Sequence, residues 1–381
     1  MAKKQYIPLI NPASTERTLN LFRFIQDIQG QYTLSGQHNF VGKGSEYSDQ
    51  LEHITERKAV LWGSDFSFCV KGADAMRFVA AGPANLPLPL TEDYRAIMDS
   101  IGMGGNGQDP KPFIRKPKFL DITLDEARRL TMDEIKLRHR EGHMITMMWH
   151  ACFPTDGDCC KGSSVWSMED RPPPEMWNEL VTEGTALNDA WKKGTDKVAG
   201  CLKELCDANI PVLWRPYHEM NGVWFWWCNQ RGESGFKRLW VMMYEYFTHH
   251  HGLKNLIWVW NANAPRDIPG DEARAYEDFF PGIEYVDILA ADVYRNDYRQ
   301  SHHDQLVELS QGKPVALGEV GPIPTLQILG QQPMWSWFMP WGWILFHANS
   351  EELIREMYRS DCVLTMDQLT VDQMGNYKVN C

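Results

Sequence analysis

Eight short apolar runs recur along this 381-residue chain, and they constrain its fold more than any other feature. They occupy residues 31–36, 58–63, 143–149, 210–215, 255–260, 286–291, 313–318 and 334–340. Most are runs of apolar residues rather than alternating patterns, as expected of parallel strands covered on both faces. Most are followed by a segment of helical period. Over residues 189–208, Val198, Leu202 and Leu205 share one face, with Asn209 as the stop. Over 234–250, Phe236, Trp240, Met243, Tyr244 and Phe247 form a stripe closed by His249–His251 and Gly252. Histidines in a last turn suit the negative end of a helix, so this triplet reads as capping rather than metal ligation. The pair His302–His303 reads as a solvated helix face. Strand–helix alternation repeated eight times predicts a single (β/α)8 TIM barrel, an α/β fold. A doubly wound sheet would need a glycine-rich turn after its first strand, where this chain has Gln37, His38 and Asn39. One domain is expected over 1–381, with a lead-in at 1–30 and a C-terminal helix and tail at 344–381. Two irregularities stand out: a long insertion after the second strand at 69–122, including the glycine-rich Gly102–Gly107, and a short or missing seventh helix near 323–331. Insertions of that length usually serve as lids or binding loops.

Charge narrows the partners. The formal net charge is −12 with a pI near 5.5, so no nucleic-acid partner is expected. No apolar stretch approaches 18 residues and no signal-peptide core follows Lys3–Lys4, so neither a membrane span nor a leader is expected in the chain as given. Localisation is left open between cytoplasm and, had a leader been removed, secretion. The nine cysteines lack the C-x2-C spacing of zinc sites. Cys152, Cys201 and Cys206 sit in apolar company and read as free thiols, and adjacent Cys159–Cys160 cannot easily bridge each other. No cofactor and no metal are expected, and the chain is expected to be a monomer. Sixteen tryptophans cluster at strand ends, which suggests a shared aromatic cleft.

A barrel displays its chemistry at the C-terminal ends of its strands. There this sequence places His38, Asn39, Asp65, His150, Arg215, His218, Glu219, Asn221, Asn261, Asn263, Asp292, Tyr294, Asp297, Glu319 and Trp341. The segment Trp214–Trp227, WRPYHEMNGVWFWW, breaks abruptly from an apolar run into an Arg-His-Glu-Asn set, then into aromatics. A carboxyl beside indole rings is the arrangement of a general acid, and indole faces with polar neighbours suit a sugar. Glu219 ends the fourth strand and Glu319 the seventh. Two carboxyls converging across a barrel mouth are what glycosidic cleavage requires.

These strings, with ALGEVGP at 316–322, MMWH at 147–150 and ADVYRNDY at 291–298, resemble glycoside hydrolase family 26, in which β-mannanases dominate. The resemblance runs from about residue 31 to about residue 343. It implies Glu219 as acid/base, Glu319 as nucleophile, Tyr294 as the hydrogen-bond donor to the nucleophile and Arg215 as the arginine beneath it. It also implies that His150, His218, Trp224 and Trp341 line the cleavage point. His218 precedes the acid/base where many related barrels carry Asn. The implied reaction is retaining hydrolysis of β-1,4-mannosidic bonds in mannan, glucomannan or manno-oligosaccharides, with carboxyls about 5–5.5 Å apart. The implied partner is therefore a mannan-type β-linked polysaccharide or oligosaccharide. Gly342 departs from the arginine that several members carry after the eighth-strand tryptophan, so binding on the glycone side is expected to differ.

On chemistry alone, Arg215 and a donated Tyr294 hydroxyl would hold Glu319 ionised, while Glu219, with only His218 as a cationic neighbour, would keep its proton. His38 and Asp65 would contact substrate or orient neighbours, and Asn261 and Asp292 are equally open. Three other readings compete. The same barrel could act on β-1,3-xylan or mixed-linkage β-glucan. It could be a metal-dependent enzyme using His38, His150, His218, Asp292 and the glutamates, or a non-catalytic sugar-binding barrel. The insertion at 69–122 could wall off one end of the cleft and favour short products.

Overall fold

The computed structural model describes residues 5–39, 44–66, 123–157, 165 and 172–380. The eight apolar runs become β1 (Thr33–His38), β2 (Leu61–Asp65), β3 (Met144–Trp149), β4 (Val212–Pro216), β5 (Leu256–Asn263), β6 (Ile288–Val293), β7 (Val315–Val320) and β8 (Trp335–Pro340). All pair in parallel in sequence order, and β1 pairs with both β2 and β8, which closes a barrel. Every residue of these strands is buried, the polar ones of β1 and β2 included. The insertion at 69–122 lies outside the described residues.

Alternation along each strand divides the core. Leu34, Leu213, Ile257, Val259, Ile288, Ala290 and Ala316 belong to one cluster that fills the barrel and reaches its floor. Val212, Trp214, Trp258, Trp260, Leu289 and Leu317 belong to another, which packs against the surrounding helices. Most tryptophans serve that second cluster: Trp240 meets Trp258 at 5.7 Å and Phe247 meets Trp214 at 5.9 Å. The expectation that all the tryptophan clusters line a cleft is therefore corrected. An indole is large enough to fill the gap between a strand and its covering helix, and most are used there.

Local sequence explains the helices that matter for the site. One helix, Ala186–Asp207, starts with Thr185 accepting from the Asn188 N–H at 3.2 Å and ends before Asn209, whose φ of 54° is the left-handed stop expected of asparagine. A second, Phe236–Glu245, runs on into a wider turn at Tyr246–His250, and Gly252 at φ 62° ends it. There His251 sits 2.9 Å from Asp196 of the preceding helix, so part of the histidine triplet ties two helices together. His302 and His303, expected on a solvated face, are buried at 4 % exposure each. The His302 ring approaches Asp297 at 3.4 Å, and His303 accepts the Met334 N–H at 3.3 Å. The short helix expected near 323–331 is Leu326–Gln331. Cys152, read as a free thiol, is disulfide-bonded, whereas Cys201 and Cys206 are free.

At the floor of the barrel, a short strand (Val363–Leu364) pairs with the start of β1, and a hairpin (Leu369–Val371 with Tyr377–Val379) follows. Tyr377 packs its ring 5.2 Å from Phe24 of the N-terminal helix Glu16–Ile28.

Candidate active site

Glu319 reaches the barrel mouth through an irregularity in its strand. Leu317 pairs with Ala291 but Glu319 pairs with Asp292, so β7 holds one extra residue, Gly318. Leu317 packs outward, and a regular strand would send Glu319 the same way two residues later. The extra residue turns it inward, as β-bulges do. Glycine is demanded at 318 because a Cβ there would lie 1.6 Å from Asn261 Oδ1 and 2.9 Å from Asp292 Oδ1.

Once inside, Glu319 is 3 % exposed and fully engaged. Arg215 on β4 donates from Nη2 to Oε1 at 2.7 Å, and the Tyr294 hydroxyl donates to Oε2 at 2.7 Å. The Arg215 guanidinium is itself fixed, donating from Nη1 to Asn261 at 3.2 Å and standing 3.5 Å from Asp292. Asn261 and Asp292 thus support the arginine. His218 Nε2 lies 3.5 Å from Glu319 Oε1. Burial, then the neighbouring His150 and Arg215, pushes the His218 imidazole well below its usual range, so it is uncharged. The expected role of His218 as a cationic neighbour for Glu219 is corrected in its charge: the ring lies near both carboxyls but is uncharged.

Glu219 follows β4 on a turn in which Tyr217 and Glu219 both adopt left-handed φ, 48° and 56°. Such values cost a non-glycine residue energy and persist only where the surroundings fix them. Here the WFWW string does much of the fixing. Trp224 donates its indole N–H to Glu219 Oε2 at 2.7 Å, Trp226 to the Ala151 carbonyl at 2.8 Å, and Trp227 to the His218 carbonyl at 2.8 Å. Asn221 then staples the turn to β5, accepting from Asn263 N–H at 2.7 Å and donating to the Asn263 carbonyl at 2.7 Å. The Asn263 amide donates to Glu219 Oε1. Glu219 is 6 % exposed, and its carboxyl is pushed up to about 8, first by burial and then by the negative charge of Glu319. Arg266 and the donated hydrogen bonds from Trp224 and Asn263 pull in the opposite direction.

The remaining wall is aromatic. His38 stacks on Trp341 at 4.2 Å, His150 approaches Trp341 at 5.8 Å and His218 at 4.5 Å, and Phe225 packs 5.3 Å from His150. Asp65 orients His150: its Oδ2 lies 2.6 Å from Nδ1 and accepts the His150 backbone N–H at 3.1 Å. A carboxylate only accepts there, so Nδ1 carries the ring proton.

Comparison with known proteins agrees with this geometry. The sequence profile of glycosyl hydrolase family 26 matches residues 128–368, well over half of the chain. The chain belongs to glycosyl hydrolase family 26. A mannan endo-1,4-beta-mannosidase from Thermothelomyces thermophilus is 33% identical over 267 residues, covering 65% of this chain and 50% of that enzyme. Two Piromyces mannan endo-1,4-beta-mannosidases are covered over 27% and 33% of their length, so the chain spans half or less of these curated relatives. Among solved structures, the GH26A protein of a Muricauda species shares 37% identity with a TM-score of 0.77, over 94% of this chain and 99% of that one. The Podospora anserina GH26-CBM35 beta-(1,4)-mannanase shares 26% with a TM-score of 0.66, over 96% and 70%.

In this family 26 barrel all the site residues expected from sequence, Glu219, Glu319, His150, Arg215, His218, Trp224, Tyr294 and Trp341, form one connected constellation. Two residues given no role from sequence join it. Asn263 was visible only as a polar strand end, and Arg266 lies in the loop beyond. His218, Glu219 and Asp292 bring ligand atoms within 4.8 Å of one another, the grouping among the described residues that could suit a metal. The donor set fits a cation poorly: both Glu219 oxygens already accept N–H groups, and Arg215 faces Asp292. Gly342 has a left-handed φ of 47° and its carbonyl accepts from Gln37 at 3.0 Å. An arginine side chain at that position would have to adopt a backbone that favours glycine.

Proposed function

We propose that this barrel hydrolyses β-1,4-mannosidic bonds by double displacement, with Glu319 as nucleophile and Glu219 as acid/base. The observation that carries the reading is the opposite treatment of two buried carboxyls. Glu319 accepts from a guanidinium and a phenol, which hold its two oxygens in place at the barrel mouth. Glu219 is buried beside that negative charge and keeps a proton to about pH 8.

In the first step Glu319 attacks the anomeric carbon while Glu219 passes its proton to the departing glycosidic oxygen. The products are a glycosyl ester on Glu319 and the released aglycone sugar. In the second, water gives a proton to Glu219 carboxylate and its oxygen attacks the anomeric carbon, freeing Glu319. Arg215 and Tyr294 must loosen their hold on Glu319 as its charge enters the ester and recover it afterwards.

The mannan-type substrate is supported by the relatives' names, and the cleft supplies Trp224, Trp341 and His150 for sugar faces and hydroxyls. We expect Glu319→Ala to lower hydrolysis of β-1,4-mannan by at least about a thousandfold. We also expect Glu219→Ala to regain turnover with azide, giving the β-azide. Near-normal mannan hydrolysis by Glu319→Ala would overturn the assignment. Parallel assays on β-1,3-xylan and mixed-linkage β-glucan would replace the mannan reading if either exceeded mannan. NMR of the first-formed product should show the β-anomer.

A further inference from the structure

Arg266 sits beyond β5 and touches Glu219 through one intermediary. Its Nη1 donates to Asn263 Oδ1, and the other end of that amide donates to Glu219 Oε1. Arg266 is also gripped by Asp271 with two hydrogen bonds, from Nε at 3.0 Å and from Nη2 at 2.6 Å. Asp271 in turn accepts from Arg295 of the loop after β6 at 3.0 and 2.7 Å. The guanidinium carbon lies 5.3 Å from the Trp224 ring centre, over the same indole that donates to Glu219 Oε2. The Arg266 side chain is 9 % exposed.

We propose that Arg266 is a positioning residue for the acid/base, locking the Asn263 amide with its NH2 toward Glu219 and keeping a positive charge beside that carboxyl.

The chemistry follows from donors and acceptors. An asparagine amide can present either end, and a protonated Glu219 accepts or donates equally well. Arginine has only donors, so Asn263 must turn its oxygen to Arg266 and its NH2 to Glu219. The Asn263 backbone is held on both sides by Asn221, so the remaining freedom is the side-chain flip that Arg266 forbids. A flipped amide would offer its oxygen to Glu219 and stabilise the protonated acid alone. Double displacement needs the same carboxyl ionised for its second step, so a permanently protonated Glu219 would stall there. The groups facing Glu219 are Glu319 of β7, Asp292 and Tyr294 of β6 and its loop, His218 of the turn after β4, and Arg266. Arg215, the other nearby cation, is committed to Glu319. Arg266 thus offsets the burial and the negative charge that raise the carboxyl.

This inference rests on the reading of Glu219 as acid/base, and the test separates the two. The pH dependence of kcat/KM on mannohexaose is to be measured for the wild type, Arg266→Met, Arg266→Lys and Glu219→Gln. We expect the alkaline limb to move upward by about one pH unit in Arg266→Met, through loss of both charge and donor. Arg266→Lys, which keeps charge without the planar fork, should move by less, with a lower kcat. Glu219→Gln should abolish the limb along with most turnover. If the Arg266 variants lose activity with both limbs unmoved, Arg266 only holds its loop and the proposal fails. Should Arg266→Met not fold, an unmoved limb in Arg266→Lys at reduced kcat overturns the proposal equally. If Glu219→Gln keeps wild-type activity, the acid/base reading itself fails.

Discussion

Glu219 and Glu319 are chemically the same side chain, and what separates them is the polarity of their immediate partners. Glu319 accepts from Arg215 and Tyr294, whereas Glu219 takes two neutral N–H groups and feels the negative charge of Glu319. Raising pH through about 8 removes the Glu219 proton, so activity that needs the acid form should decline on that side. A kcat/KM profile with its alkaline limb near 8 is the expected result, and a limb below about pH 6 would contradict the burial argument. Tyr294→Phe deletes one hydrogen bond to a charged acceptor. Such bonds contribute about 1.5–3 kcal/mol, so kcat/KM on mannan oligosaccharides should fall roughly 10–100-fold. Both glutamates were legible from sequence because strand ends are where a barrel keeps its polar groups. The state of His218 was not, since it depends on burial and on His150 and Arg215, which other strands bring beside the ring.

At the scale of elements, the decisive feature is the bulge in β7. Alternation places Leu317 against the helices, and only the extra residue at Gly318 turns Glu319 to the mouth. Gly318→Ala would press a methyl group into Asn261 and Asp292, the two residues that fix Arg215. We expect kcat/KM to drop by about a hundredfold or more, because a displacement of roughly 1 Å at a reacting group costs that much. The same variant with wild-type kinetics would show that the bulge is not what positions Glu319. The fourth-strand turn makes the same point: HEMNG reads as a motif, yet its left-handed residues are held by indole N–H groups and by Asn221 reaching across to β5. Hydrogen-bond partners as remote in sequence as Trp226 and Ala151 leave no local pattern to read.

Across the whole molecule, the mouth carrying the site and the floor closed by the N-terminal helix and the C-terminal hairpin are at opposite ends of the barrel. Tyr377→Ala should therefore lower stability by about 2–3 kcal/mol through the lost contact with Phe24. Its melting temperature should fall by several degrees while kcat/KM stays unchanged. A loss of activity at temperatures where the variant is folded would tie floor to mouth. The sequence by itself determined the barrel and set Glu219 and Glu319 at strand ends, because recurrent apolar runs and polar strand ends are local patterns with few structural solutions. Tertiary structure alone decided which tryptophans face the cleft and that His302 and His303 are buried. It also decided that Asn263 and Arg266 complete the surroundings of Glu219. Each of these turns on distances between segments far apart in the chain, and burial and charge act through those distances.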